Sequence, residues 1–260
     1  MSRASIDLNA DVGEGCASDA ELVPLVSSVN IACGGHAGDA DTMRRTVELA
    51  MRHGAAIAAH PGFADREHFG RREIAIAPPE AAALVLAQAA LLRKVAAGLG
   101  ARVGRVKLHG ALYNMAARDG ALGAAIVDAL AGEGRLSGSP WILIALAGSE
   151  LVSIGRARGL PVVGEAFADR SYRRDGTLTP RSDPGAMIGD EDEAVHQVLR
   201  IAREGTVLAA DGAEVVIDAD TVCLHGDGPN AVPFARRIRA ELAAAGIAVR
   251  CTQDPSPRVG

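Results

Sequence analysis

Short runs dense in aliphatic residues alternate along this chain with longer stretches in which apolar positions recur at helical spacing. The short runs predict strands over residues 5–10, 29–33, 55–59, 105–108, 141–146, 162–165 and 221–224, with a weaker eighth at 247–250. Helix boundaries are legible between them. Asp39 caps a run that stops at Gly54, Pro78 and Pro79 open an alanine-rich run reaching Gly98, and two further runs span 148–159 and 229–246. Alternation of this kind predicts parallel strands joined by helical crossovers, hence an α/β fold: a (β/α) barrel of seven or eight strands. Residues 206–218 break the rhythm, since two β-branched runs flank Asp211-Gly212, a hairpin signal read as a decoration on the barrel. No linker or repeat divides the sequence, so a single domain over residues 1–260 is expected.

Along the first strand, Asp7, Asn9 and Asp11 share one face and Leu8 and Ala10 the other. If the apolar face meets the helices, the polar face fills the barrel, where carboxylates need partners. Residues of the right type stand at other strand ends. His60, His109 and His225 each close a strand, Lys107 shares the inward face of His109, and Asp227 stands two residues beyond His225. Glu165, Asp169 and Arg170 accompany the sixth strand, and Asn30 leads into Gly34-Gly35-His36. C-terminal strand ends are where the loops of such barrels converge, and convergent titratable groups are what acid–base chemistry needs. Any one of these histidines alone is as readily a hydrogen-bonded group in a buried corner. The glycine-rich loop 34–38 offers backbone N–H groups to an anion, whereas Asp39 and Asp41 set negative charge there and suit a helix cap equally well. His53 and His196 fall in helical runs and His68 in a loop, and none is given a role. A long loop over 171–190 carries Tyr172, Arg173, Arg174 and Arg181; it reads as a lid able to grip a carboxylate, or as a solvated loop or subunit contact.

Composition narrows the field. With 48 % hydrophobic and 23 % charged residues the chain has the mixture of a globular protein with a sizeable core. A net charge of -5 and an aromatic content of 3 % leave neither a basic face nor many stacking surfaces, which excludes nucleic acid and anionic membrane as partners. No basic-then-apolar leader and no run near ~18 apolar residues occurs, so a cytoplasmic protein is expected. Cys16, Cys33, Cys223 and Cys251 form no C-x-x-C pair and are read as reduced thiols. Neither glycine-rich nucleotide signature, G-x-x-x-x-G-K-[ST] or G-x-G-x-x-G, is present.

A set of motifs spans nearly the whole chain in order. It begins with Asp7-Leu8-Asn9-Ala10-Asp11 and Glu14, Ser28-Val29-Asn30-Ile31-Ala32-Cys33-Gly34-Gly35-His36-Ala37-Gly38-Asp39 and Ala59-His60-Pro61-Gly62-Phe63. Val106-Lys107-Leu108-His109-Gly110-Ala111-Leu112-Tyr113 follows, then Glu165, Ala168-Asp169-Arg170, Tyr172, Asp175-Gly176-Thr177-Leu178, Arg181 and Cys223-Leu224-His225-Gly226-Asp227. In these residues the chain resembles the lactam-utilisation family (LamB/YcsF-like), which includes the A subunit of bacterial ATP-dependent 5-oxoprolinase. The resemblance implies a deformed TIM-like barrel related to polysaccharide deacetylases and some glycoside hydrolases. It also implies 5-oxo-L-proline as substrate, L-glutamate as product, ATP as cosubstrate, and two partner subunits of different sequence.

A lactam is a resonance-stabilised amide, and phosphorylation of its oxygen would activate the carbonyl toward water. On this footing Asp11 or Asp227 is expected as general base, and His60, His109 or His225 as the acid for the leaving nitrogen. Lys107 is expected at the oxyanion or a phosphate, Glu165 and Asp169 as holders of the histidine tautomers, and Arg170 at the substrate carboxylate. Asn9, Asn30, Gly34, Gly35, His36 and Tyr172 are expected to line the substrate. Two alternatives stand beside this reading. One is a metal-dependent deacetylase or amidohydrolase on the same barrel, with magnesium or another divalent ion held by Asp11, His36 and His60. The other is a non-catalytic substrate-binding subunit, which the missing nucleotide signatures favour.

Overall fold

The aliphatic runs become strands because each offers an apolar face to the surrounding helices. The computed structural model describes residues 4–226, 228 and 230–252. Strands β1 (Ser5–Val12), β2 (Ser28–Ala32), β3 (Ala56–His60), β4 (Val103–Lys107), β5 (Ile142–Leu146) and β6 (Val162–Phe167) pair in sequence order, all parallel. After a small antiparallel hairpin of β7 (Thr206–Leu208) and β8 (Glu214–Val216), strand β9 (Thr221–His225) pairs with both β6 and β1 and closes a seven-stranded barrel.

The weak eighth strand forms as β10 (Ala248–Val249), outside the closure. The carbonyls of Ala4 and Ile6 accept from Ala248 and Arg250, and that of Leu8 accepts from Ser27, which leads into β2. β10 therefore takes only the part of one β1 edge that β2 does not reach.

The helices are α1 (Asp19–Leu22), α2 (Ala40–His53), α3 (Pro78–Ala97), α4 (Gly110–Arg118), α5 (Gly120–Ser137), α6 (Glu150–Ala157), α7 (Glu191–Glu204) and α8 (Ala231–Ala244). Asp39 caps α2 by accepting from Thr42 N–H at 2.7 Å, and Gly54 ends it at φ 68°. The sequence pattern delimits α2, α3, α6 and α8 but not α4, α5 or α7. Four glycines inside α5 weaken its helical signal; at Gly134 a Cβ would lie 3.0 Å from Pro140 Cα, so the glycine serves close packing. Among the described residues no helix is long and apolar enough to cross a membrane.

Alternation decides what fills the lumen. Ile6, Leu8, Ala10 and Val12 join the main apolar core with residues of the helices, while Ala58, Ile144 and Val163, of the opposite parity, form a separate small cluster. The rest of the lumen is polar: Asp7, Asn9, Asp11, Ser28, Asn30, Arg105, Lys107, Glu165 and Thr221 are all buried. Barrels of this type usually fill the lumen with layers of branched aliphatic side chains, so here each polar group must be satisfied across the barrel.

Candidate active site

Lys107 organises the upper lumen. Its ammonium lies 2.9 Å from Asp11 Oδ1, Glu165 Oε1 and Cys223 Sγ, and 3.5 Å from Asn9 Oδ1. Burial opposes its charge, but Asp11, Cys223 and Glu165 outweigh burial and hold its pKa well above the usual lysine range. Burial likewise pushes Asp11 up, and His60 and Lys107 bring it down well below the usual carboxylate range. All three ammonium protons have acceptors, which leaves none for a substrate oxyanion. Lys107 thus positions Asp11 rather than reaching substrate.

The same accounting revises other expectations. Glu165 accepts from Asn9 Nδ2 at 3.1 Å and from Tyr113 O–H at 2.8 Å, and it touches no histidine among the described residues. Asn9 also donates to Thr221 Oγ1, while Asn30 donates to Asn9 Oδ1 and Asp11 Oδ1. Both amides are fully buried in this network and build the lumen instead of lining substrate. Tyr172 is fully buried too, its hydroxyl accepting from Phe167 N–H at 2.7 Å.

Beside Asp11 three imidazoles gather with Glu14. His60 closes β3, His109 follows β4, His36 sits in the loop after β2, and Glu14 follows β1. His60 Nε2 is 3.0 Å from His109 Nδ1 and 3.4 Å from Asp11 Oδ2, and His36 Nε2 is 3.1 Å from Glu14 Oε1. The rings of His36 and His109 stack with centroids 3.6 Å apart. Burial, then the neighbouring His60, lowers His36 to about 3 and puts His109 well below the ordinary histidine value. The ligand set expected for a metal was Asp11, His36 and His60. The structure brings Glu14 and His109 together with the two histidines, whereas Oδ1 of Asp11 is taken by Lys107 and Asn30.

Across the mouth, His225 ends β9 and its Nδ1 lies 2.9 Å from both carboxylate oxygens of Asp169. Burial pushes the Asp169 pKa up, and His225 draws it down below the usual carboxylate value. Phe167 stacks on the His225 ring. Arg170, expected at the substrate carboxylate, is buried and donates to the carbonyls of Ala186 at 3.2 Å and Thr179 at 2.6 Å. It pins the 171–190 loop, and burial followed by the charge of Arg181 lowers it to about 10. Arg71 and Arg181 bring further positive charge to this rim, acting on Arg170 together. Asp227 lies outside the described residues.

The glycine loop is a packing device. Gly34 and Gly38 turn their carbonyls to Arg66, and the Gly34 N–H, offered to an anion in the sequence reading, donates instead to the Ala37 carbonyl at 2.9 Å. At Gly35 a Cβ would lie 2.6 Å from Gly62 O and 2.8 Å from the Gln88 amide, which itself accepts from Gly62 N–H and donates to Gly62 O. Gly35→Ala is therefore expected to lower unfolding free energy by roughly 1–3 kcal/mol through overpacking, read by urea denaturation. An unchanged midpoint would contradict this close approach.

Glu14, Phe69 and Arg71 escaped the sequence reading as site residues. Glu14 was open to it, standing just beyond the inward-facing Asp7, Asn9 and Asp11. Phe69 gave no signal: its role depends on a backbone φ of 55°, the one positive value among described non-glycine residues, which sets its carbonyl 2.8 Å from His109 Nε2.

The LamB/YcsF family model matches residues 6–256. A curated relative from Geobacillus thermodenitrificans (strain NG80-2), named as the A subunit of 5-oxoprolinase, is 49 % identical over 98 % of this chain and 99 % of its own length. One of the same name from Geobacillus kaustophilus (strain HTA426) is 50 % identical over 98 % and 99 %. Among solved structures, the lactam utilization protein from Thermus thermophilus superposes with a TM-score of 0.87 at 43 % identity, covering 95 % of this chain and 100 % of that one. A family 4 carbohydrate esterase from Streptomyces lividans shares the barrel alone, with a TM-score of 0.52 at 12 % identity over 100 % of this chain and 97 % of that one. On a match that spans the barrel from β1 to β10, the chain belongs to the LamB/YcsF family.

Proposed function

We propose that this chain is the A subunit of an ATP-dependent 5-oxoprolinase, opening the lactam of 5-oxo-L-proline to L-glutamate in the cytoplasm together with two further subunits. The observation that carries the reading is the 49–50 % identity, over 98 % of the chain, to relatives named as the A subunit of 5-oxoprolinase. ATP is the cosubstrate and phosphorylates the lactam oxygen, which weakens amide resonance. With ADP released, water adds to the carbonyl carbon, the C–N bond breaks as the ring nitrogen takes up a proton, and a second water splits the resulting acyl phosphate into the carboxylate and inorganic phosphate.

The chain's own residues fit the later part of that sequence. Asp169 keeps the proton of His225 on Nδ1, so Nε2 is the atom free to exchange a proton with water or the leaving nitrogen. Asp11, held ionised by the Lys107 ammonium at 2.9 Å, supplies fixed negative charge beside it. The positive rim of Arg71 and Arg181 suits the carboxylate of 5-oxoproline. A second reading, amide hydrolysis without ATP, is favoured by one observation, the Glu14–His36–His60–His109 cluster.

The test is glutamate release from 5-oxoproline with ATP and magnesium, by the chain alone and after reconstitution with its two partner subunits. Release only in the ATP-containing mixture is the expected result. A verified full assembly that releases none would overturn the lactam reading, and release independent of ATP would favour the second.

A further inference from the structure

Two buried imidazoles, His60 and His109, face one another at hydrogen-bond distance, and as neutral rings they have no hydrogen to share. His60 Nδ1 is 2.8 Å from the carbonyl oxygen of Lys107, and His109 Nε2 is 2.8 Å from that of Phe69. A carbonyl oxygen only accepts, so those nitrogens carry the protons and a neutral ring keeps its lone pair on the other nitrogen. These lone-pair atoms, His60 Nε2 and His109 Nδ1, stand 3.0 Å apart. Glu14 Oε1, another acceptor, is 3.4 Å from His109 Nδ1 and 3.9 Å from His60 Nε2, and His36 Nε2 is 3.1 Å from the same oxygen. A proton can join two of these atoms, whereas four converge within 4.8 Å of one another.

We propose that Glu14, His36, His60 and His109 bind one divalent transition-metal ion of the zinc class. Of the six separations among these atoms, four run from 3.0 to 3.9 Å and all lie within 4.8 Å, around the ~3.3 Å expected between ligands of a tetrahedral ion with ~2.0–2.1 Å bonds. The carbonyls of Lys107 and Phe69 are the outer partners that metal-bound histidines commonly have, and the left-handed backbone of Phe69 puts one of them in place. His36 lacks such a partner, its Nδ1 being buried without a hydrogen bond, and lies flat on His109 instead. Three nitrogens and one oxygen suit zinc, cobalt(II), nickel or iron(II) and disfavour magnesium and calcium, which take oxygen ligands. This ion is thus chemically distinct from the magnesium that accompanies ATP, and its binding does not depend on which amide the protein opens.

The test uses the full chain, purified without a polyhistidine tag, stripped with chelator and titrated with cobalt(II) alone while visible absorption and melting temperature are recorded. One cobalt per chain is expected, with a ligand-field band and a melting temperature that rises with cobalt or zinc and not with magnesium. His109→Gln and His36→Gln should each weaken cobalt binding by more than the roughly 10–100-fold that loss of an outer partner costs, and His53→Gln on exposed α2 should leave it unchanged. Absence of band and shift in the wild type, which needs no variant to fold, overturns the proposal; the two rings then share a proton. Cobalt binding equally to wild type, His109→Gln and His36→Gln overturns it as well.

Discussion

Replacing Lys107 with methionine is expected to lower the unfolding free energy at about pH 7 by roughly 3–5 kcal/mol, the range for removing one partner from a buried ion pair. The Lys107 side chain is 2 % exposed, and its ammonium is shared by two carboxylates, Asp11 and Glu165, at 2.9 Å each. Methionine fills similar space but leaves both acids in the lumen with neutral donors only. One of them must then take up a proton on folding, so in the variant a folded-state carboxylate pKa lies above its unfolded value. The penalty is full above that raised pKa and fades as pH falls through it, whereas the wild type keeps Asp11 ionised throughout. Urea unfolding near pH 7 and near pH 5 should therefore show a deficit that shrinks at the lower pH. A deficit under about 1 kcal/mol at the higher pH would mean that Lys107 does not balance these acids.

Asp169→Asn should lower turnover by roughly 10⁴-fold in the reconstituted assembly, the order found when a histidine-orienting carboxylate becomes an amide. Asp169 meets His225 Nδ1 with both oxygens at 2.9 Å, an arrangement that only an N–H on that nitrogen satisfies. The amide can turn its NH₂ toward the ring and stabilise the opposite tautomer, which puts a proton where the lone pair is needed. Because the shape of the side chain is unchanged, KM and the melting temperature should stay close to wild type. Turnover within about threefold of wild type would remove the His225–Asp169 pair from the proton transfers.

Period-two alternation made much of this molecule legible. Asp7, Asn9 and Asp11 announced a polar lumen, and His60, His109 and His225 marked the strand ends where the candidate site lies. Partner choice was not legible, because it is decided across the barrel. Nothing local tells that Lys107 meets Asp11, Glu165 and Cys223, or that Arg170 turns toward the 171–190 loop instead of substrate. The helices α4 and α5 were obscure for a different reason: their glycines serve close packing at the expense of helix propensity. β10 read as an eighth stave, yet whether a strand closes the ring depends on the reach of its neighbours, and β9 reaches β1 first.

The bonds inside the barrel also bear on how the chain reaches its native state. Lys107 and Asp11 are 96 residues apart, and Asn9 and Glu165 are 156 apart. An open sheet of β1 to β3 would carry Asp11 and Asn9 without Lys107 and Glu165, and one of β4 to β6 would bring Lys107, Tyr113 and Glu165 together with neither Asp11 nor Asn9. Partly rolled intermediates thus bear polar groups that only the completed cylinder satisfies, which raises their free energy relative to both ends of the reaction. Closure is accordingly expected to be late and cooperative, and a fragment cut between β3 and β4 should not persist as a folded half.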